Sequence, residues 1–246
     1  MAIPAVILLG LAKGGFSGIG VIAVPMMALA ISPVLAASIT LPILIVQDVV
    51  SVWSFRKTWD KGVLAVMLPS AAGGIALGYS LAAFVKPGAV ELAVGAVSIV
   101  FALMRLWAER GSAPPKPAKP EKLPWRGVLA GVVAGFTSQI AHAGGPPFQI
   151  YVMPKNLPRD VFIGTSAIFF AVVNWMKVPA YWALGQFTRE ALMTALVLLP
   201  LAIASTAAGV WLVRRVPAGN FYRIIYVLLI AVGAKLAWDG AASLLG

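Results

Sequence analysis

The sequence predicts an all-α polytopic membrane protein made of two internal repeats. Three observations carry this. The 246 residues are 61% hydrophobic and 11% charged, with a mean hydropathy of +0.94, far from the composition of a soluble domain. Apolar segments of about 20 residues recur along the chain, each long enough to cross a hydrocarbon core of about 30 Å. They are continuously apolar and do not alternate, so a barrel is not expected. Third, each half carries a glycine-rich interruption. The first runs Lys13-Gly14-Gly15-Phe16-Ser17-Gly18-Ile19-Gly20; the second runs Gly135-Phe136-Thr137-Ser138-Gln139-Ile140-Ala141-His142-Ala143-Gly144-Gly145-Pro146-Pro147. Paired interruptions in corresponding places are the sequence mark of a binding site built from broken helices.

Taken in order, residues 1–30 read as the first broken element, without the basic leader of a signal peptide. Residues 34–55 read as a membrane helix carrying Gln47 and Asp48, and 62–85 as a second with Gly73, Gly74 and Gly78 as close-packing positions. Residues 89–107 form the next span. Residues 111–124 are rich in proline and lysine and read as an extended, solvated linker. It divides the chain into an N-terminal membrane repeat, 1–110, and a C-terminal one, 125–246. The second half repeats the order of the first: a broken element over 125–153, a polar-containing helix over 161–184 with Asn174 and Lys177, a small-residue helix over 191–213 with Gly209, and a last span over 221–238.

The basic residues orient the repeats. If each broken element crosses fully, there are eight spans and the halves are parallel; the cations then divide about eleven to six between the two faces. If each broken element dips in and returns, six full spans remain and the halves are inverted. One face then collects every loop cation except Lys86, Arg189 and Lys235, about fourteen to three. The glycine-rich tips also fall at the membrane centre, where non-helical backbone survives if it lines a cavity. The inverted arrangement is the preferred reading, with the linker in the cytoplasm and both termini outside.

The net charge of +11 sits mostly at segment ends and serves orientation, so no nucleic-acid partner is expected. The chain has no cysteine and one histidine, which removes disulfides, thiolate chemistry and multi-histidine metal sites. No cofactor or metal is expected. An enzyme would have to rely on serine, lysine or carboxylate chemistry, and none is expected.

Lys13 is the sharpest clue to function. A lysine within a spanning segment costs about 2.5–3.5 kcal/mol. Beside Gly14 and Gly15, bare backbone N–H groups would complete an anion site; the alternative is that Lys13 snorkels or is neutralised by Asp48. Ser17, Gly18 and Gly20, with Thr137, Ser138, Gln139, His142, Gly144, Gly145 and Gln149, would add hydroxyl, amide, imidazole and backbone donors. The alternative for these is tight helix packing. Asp48, Asn174 and His142 are candidates for ion coupling. Lys177, among Trp175, Tyr181 and Trp182, reads as an interfacial lysine. Arg105 and Arg223 read as anchors near span ends.

These residues resemble the TauE/SafE family of sulfite exporters, also called the toluene sulfonate uptake family. Gly15-Phe16-Ser17-Gly18-Ile19-Gly20 with Val24-Pro25 is similar to the family's first element. Ile163-Gly164-Thr165-Ser166 is similar to the opening of the following helix in the second half, with Ala36-Ala37-Ser38-Ile39-Thr40 as a weaker counterpart. The chain departs from the family at Gly20-Val21-Ile22, where three glycines are usual, and in the polar character of 138–145. The resemblance implies secondary transport of a small sulfur-containing anion such as sulfite, a sulfonate or sulfoacetate across the bacterial inner membrane. No nucleotide-binding motif accompanies it. The expected partners are the anion, the lipid bilayer and a second copy of the chain; an uncoupled anion channel is the alternative function.

Overall fold

A computed structural model describes residues 1–16, 20, 23–28, 30–81, 84, 86–109, 125–216 and 218–245. Ser17, Gly18 and the linker 111–124 lie outside the described residues. The described residues form ten α-helices: α1 (Ala2–Lys13), α2 (Ala23–Ala28), α3 (Pro33–Phe55), α4 (Lys61–Leu81), α5 (Pro87–Glu109), α6 (Trp125–Ala141), α7 (Gly145–Val152), α8 (Arg159–Ala183), α9 (Arg189–Arg215) and α10 (Ala218–Leu245). A 3₁₀ turn, Met153–Lys155, follows α7.

Among the described residues, five stretches are long and apolar enough to cross a membrane: Val34–Phe55, Lys61–Leu81, Arg159–Ala183, Arg189–Arg215 and Arg223–Leu245. The segment expected over 89–107 is helical within α5, which at 23 residues is as long as α3. The two broken elements are broken in fact. α1 has 12 residues and α6 has 17, or about 18 and 25 Å of helix, both short of a 30 Å core. α6 is followed by α7, which is only 8 residues long.

The helix starts follow from local chemistry. Ser32 Oγ accepts from the Leu35 N–H at 3.2 Å, with Pro33 opening α3. Asp60 Oδ1 accepts from the Val63 N–H at 2.8 Å ahead of α4, and Thr188 Oγ1 from the Ala191 N–H at 3.2 Å at the start of α9. Each satisfies a donor that the first helical turn leaves without a partner.

Contacts divide the chain into two compact units, each drawing on both sequence halves. Met1–Trp59 with Ile163–Val216 form unit 1; Asp60–Phe162 with Pro217–Gly246 form unit 2. In unit 1, α1 and α3 pack on α9, and α2 packs on α1 and α3. Its apolar core comes from Ala5, Val6 and Leu9 of α1, Met27 of α2, Ile39 and Ile43 of α3, and Ala195 and Ala202 of α9. The α1–α9 crossing is a backbone approach: a Cβ at Gly14 would stand 2.5 Å from Gly209 Cα. In unit 2, α6 packs on α4 and α10 on α5. A Cβ at Gly131 would stand 2.8 Å from Met67 O, and one at Gly95 2.5 Å from the Gly233 carbonyl. Without a hydrophobic difference between lipid tails and side chains, such small-residue contacts are the main source of helix association. Gly74 and Gly78 lie at contacts, as expected; Gly73 does not, having nothing within 4 Å of a built Cβ.

Candidate functional site

The two sets of sequence candidates fall in different units. In unit 1, Lys13 ends α1, and α3 and α8 bring polar side chains to it. Lys13 Nζ donates to Asp48 Oδ1 at 2.5 Å. Asn174 Nδ2 donates to the other oxygen, Oδ2, at 2.7 Å. Lys13 Nζ also stands 5.4 Å from the Phe170 ring centroid, a cation–π distance. Asp48, Asn174 and Lys177 are 2%, 3% and 1% exposed, while the Lys13 side chain keeps 13% of its surface. Lys177 lies within electrostatic reach of both Lys13 and Asp48. Two lysines therefore act on one carboxylate.

The periodicity of the helices explains the convergence. Gln47, Asp48 and Ser51 lie on one face of α3, and all three are buried. Ser51 Oγ donates to the Lys13 carbonyl at 2.6 Å, closing the last turn of α1. Gln47 Nε2 points at the Val6 and Ala202 carbonyls at 3.4 and 3.5 Å. On α8 the positions Phe170, Asn174, Lys177 and Tyr181 are spaced as one helical stripe, while Trp175 and Trp182 are 59% and 76% exposed on the other side. Lys177 is thus a buried lysine and not a snorkelling one. The tryptophans that suggested an interface occupy the opposite face of the same helix. The 3.6-residue stripe through Asn174 was the signal that could have placed it. Ser51 was missed because a lone serine on an apolar helix carries no signal of its own.

The chemistry around Gly14 and Gly15 differs from expectation. Their N–H groups are bonded to Gly10 O at 2.8 Å and Ala12 O at 3.2 Å, and that of Phe16 to Leu11 O at 3.2 Å. They are not bare, and Lys13 stands at a helix C-terminus, where the dipole favours a cation. Gly15 has φ 139°, open to glycine alone. Gly20 lies against α1, a built Cβ being 3.0 Å from Ala12 Cβ.

In unit 2 the break falls between α6 and α7. Thr137 Oγ1 lies 2.8 Å from Val133 O and 3.1 Å from Ala143 O, and Thr137 O accepts from the Ala143 N–H at 3.1 Å. Its hydroxyl is committed to holding the bend. Ser138 is buried. Gln139 covers Gly78 with its Cβ and Cγ and leaves Oε1 without a hydrogen-bond partner. His142 adopts φ 51°, a left-handed conformation that costs a non-glycine residue about 1–2 kcal/mol. α7 opens at Gly144 and Gly145, with Pro146 and Pro147 next. The prolines have no N–H, so Gly144 and Gly145 hold the two donors that this helix start does not bond internally. Gln149 is fully buried, and neither its Oε1 nor its Nε2 has a partner. A buried amide left wholly unpaired costs about 1–3 kcal/mol, so a water, an ion or a ligand is expected beside it. Of the two span-end arginines, Arg223 is exposed on α10, and the Arg105 side chain lies outside the described ones.

Several apolar helices long enough to cross a membrane, with interrupted ones beside them, are the mark of a multi-pass membrane protein. The chain belongs to the TauE/SafE sulfite exporter family: the family model described as "Sulfite exporter TauE/SafE" matches residues 2–236. No curated protein and no solved structure matches it. Membership places it in a family of transporters that export sulfite.

Proposed function

We propose that the protein is a secondary transporter that exports a small sulfur-containing anion, sulfite or an organosulfonate such as sulfoacetate, across the bacterial inner membrane together with a proton. The observation that carries this reading is the cluster of Lys13 with the buried Asp48, Asn174 and Lys177 at the C-terminal end of α1. Asp48 already occupies Lys13, so an anion must displace it. Protonation of Asp48 removes the competing charge and leaves two ammonium groups and the Asn174 amide for the anion. Anion and proton therefore bind together. A sulfite dianion carried with one proton moves one net negative charge. An inside-negative potential then drives it outward, by about 50-fold per 100 mV. In unit 2, the Gly144 and Gly145 N–H groups, His142 and the Gln149 amide offer neutral or switchable donors of the kind an oxyanion uses.

Inverted repeats fit the same reading. Both first elements are too short to cross. Pro69, Gly74 and Gly78 of α4 keep the spacing of Pro200, Ser205 and Gly209 of α9. Within unit 2 Gly74 and Gly78 meet α6, and within unit 1 Ser205 and Gly209 meet α1. This pattern is expected if one ancestral helix pair occurs twice.

The test is flux in proteoliposomes, comparing sulfite, sulfoacetate and sulfate for wild type and Lys13→Ala. Saturable flux of one sulfur oxyanion that is lost in the variant supports the site. Unchanged flux in Lys13→Ala removes Lys13 from it.

A further inference from the structure

Unit 2 contains a cavity of about 810 Å³ bounded by α5, α6, α7 and the 3₁₀ turn, within the size range of ligand pockets, roughly 300–1,000 Å³. Its walls are apolar, from Ala93 of α5, Leu129 and Val133 of α6 and Ile150 of α7. Its two ends differ. One end is lined by Phe136, Thr137 and Pro146, and the Thr137 hydroxyl there is held by backbone carbonyls. The other end carries Trp125, Arg126, Tyr151 and Lys155. The α6 start and the α7 end meet there: a Cβ at Gly127 would stand 2.6 Å from the Tyr151 hydroxyl, and Lys155 Nζ is 4.4 Å from the Tyr151 ring centroid. Trp125 and Arg126 are exposed.

We infer that this cavity holds one acyl chain of an anionic phospholipid, with the headgroup phosphate on Arg126 and Lys155. A soluble oxyanion would find charge at the mouth and nothing polar to bind further in. An amphiphile matches both ends. The eleven-residue rise from Arg126 to Thr137 is about 16 Å of helix, half of a 30 Å hydrocarbon core and so the depth of one leaflet. The first turn of α6 adds its dipole to the two cations. Tryptophan and tyrosine beside them are the residues that settle at headgroup depth. The basic-residue bias puts Arg126 and Lys155 on the cytoplasmic face, where the anionic lipids are and where basic pockets between helices take lipid headgroups. This inference does not depend on the transport reading.

The test uses the full chain purified in mild detergent, with native mass spectrometry and thermal melting against phosphatidylglycerol and phosphatidylethanolamine. At about a fivefold gain per cation near the surface, phosphatidylglycerol should bind roughly 25-fold more tightly, and Arg126→Gln/Lys155→Gln should abolish the preference. Ala93→Phe and Ala130→Phe, on different helices, fill the cavity and should each prevent retention of the lipid while leaving the lipid-free melting temperature unchanged or higher. Equal binding of the two lipids, a preference that survives the double charge variant, or wild-type retention in either filled variant would overturn the assignment.

Discussion

Asp48→Asn separates the charge of the unit 1 cluster from its shape. The substituted amide keeps the size of the carboxylate, and its carbonyl can still accept from Asn174 Nδ2, now at 2.7 Å from Oδ2. What disappears is the negative charge 2.5 Å from Lys13 Nζ. Asp48 and Lys177 are 2% and 1% exposed, so Lys13 and Lys177 would lose the carboxylate that offsets their charge in a poorly solvated place. Removing one partner of a buried pair costs about 3–5 kcal/mol. For a chain of this length each kcal/mol moves the melting temperature by about 2–4 °C, which gives a loss of about 6–20 °C for D48N. Replacing both partners by apolar residues, Lys13→Met with Asp48→Leu, leaves no orphan charge and should recover most of that loss. The assay is thermal melting of the detergent-purified proteins at neutral pH. A D48N variant as stable as wild type, or a double variant no more stable than D48N, would refute the claim that a desolvated ion pair holds this site.

Three further outcomes follow from the same geometry. Gly14→Ala should destabilise by at least the 1–3 kcal/mol of an overpacked core, because the new methyl meets the backbone of Gly209 and not a side chain that can turn away; Gly73→Ala, with open space around it, should be neutral or stabilising by up to about 1 kcal/mol, and melting of both variants checks the contrast. His142→Gly should raise stability by about 1 kcal/mol by relieving the left-handed backbone while lowering transport; unchanged transport would make His142 a structural residue. Gln149→Leu should melt higher, since it removes an unpaired buried amide, and should weaken anion binding about tenfold or more if the amide donates to the charged substrate, measured as the half-saturating concentration in flux.

The class of the fold was legible in composition and segment length because bilayer thickness sets the length of an apolar helix. Both breaks were legible too, since glycine, proline and polar residues inside an apolar run have few other uses. The helix partners were harder to read. The α1–α9 and α4–α6 pairs join residues far apart in sequence through glycine contacts that look the same whichever helix they meet. The cluster was half legible: Lys13, Asp48 and Asn174 stood out as polar residues on apolar helices. Lys177 was misread because Trp175 and Trp182 beside it were weighed by proximity in sequence, whereas they occupy the other face of α8. The N–H groups of Gly14 and Gly15 were misjudged because glycine alone does not say whether it follows a helix end or precedes a start.

The most direct test of coupled transport through Lys13 and Asp48 is sulfite flux in proteoliposomes under an imposed pH gradient at zero membrane potential, for wild type and Asp48→Asn. The account predicts that wild-type flux concentrates sulfite in the direction of proton flow and that D48N, if it transports at all, ignores the gradient. Wild-type flux indifferent to the gradient would make the protein an uncoupled channel, and gradient-driven flux retained in D48N would place the proton elsewhere.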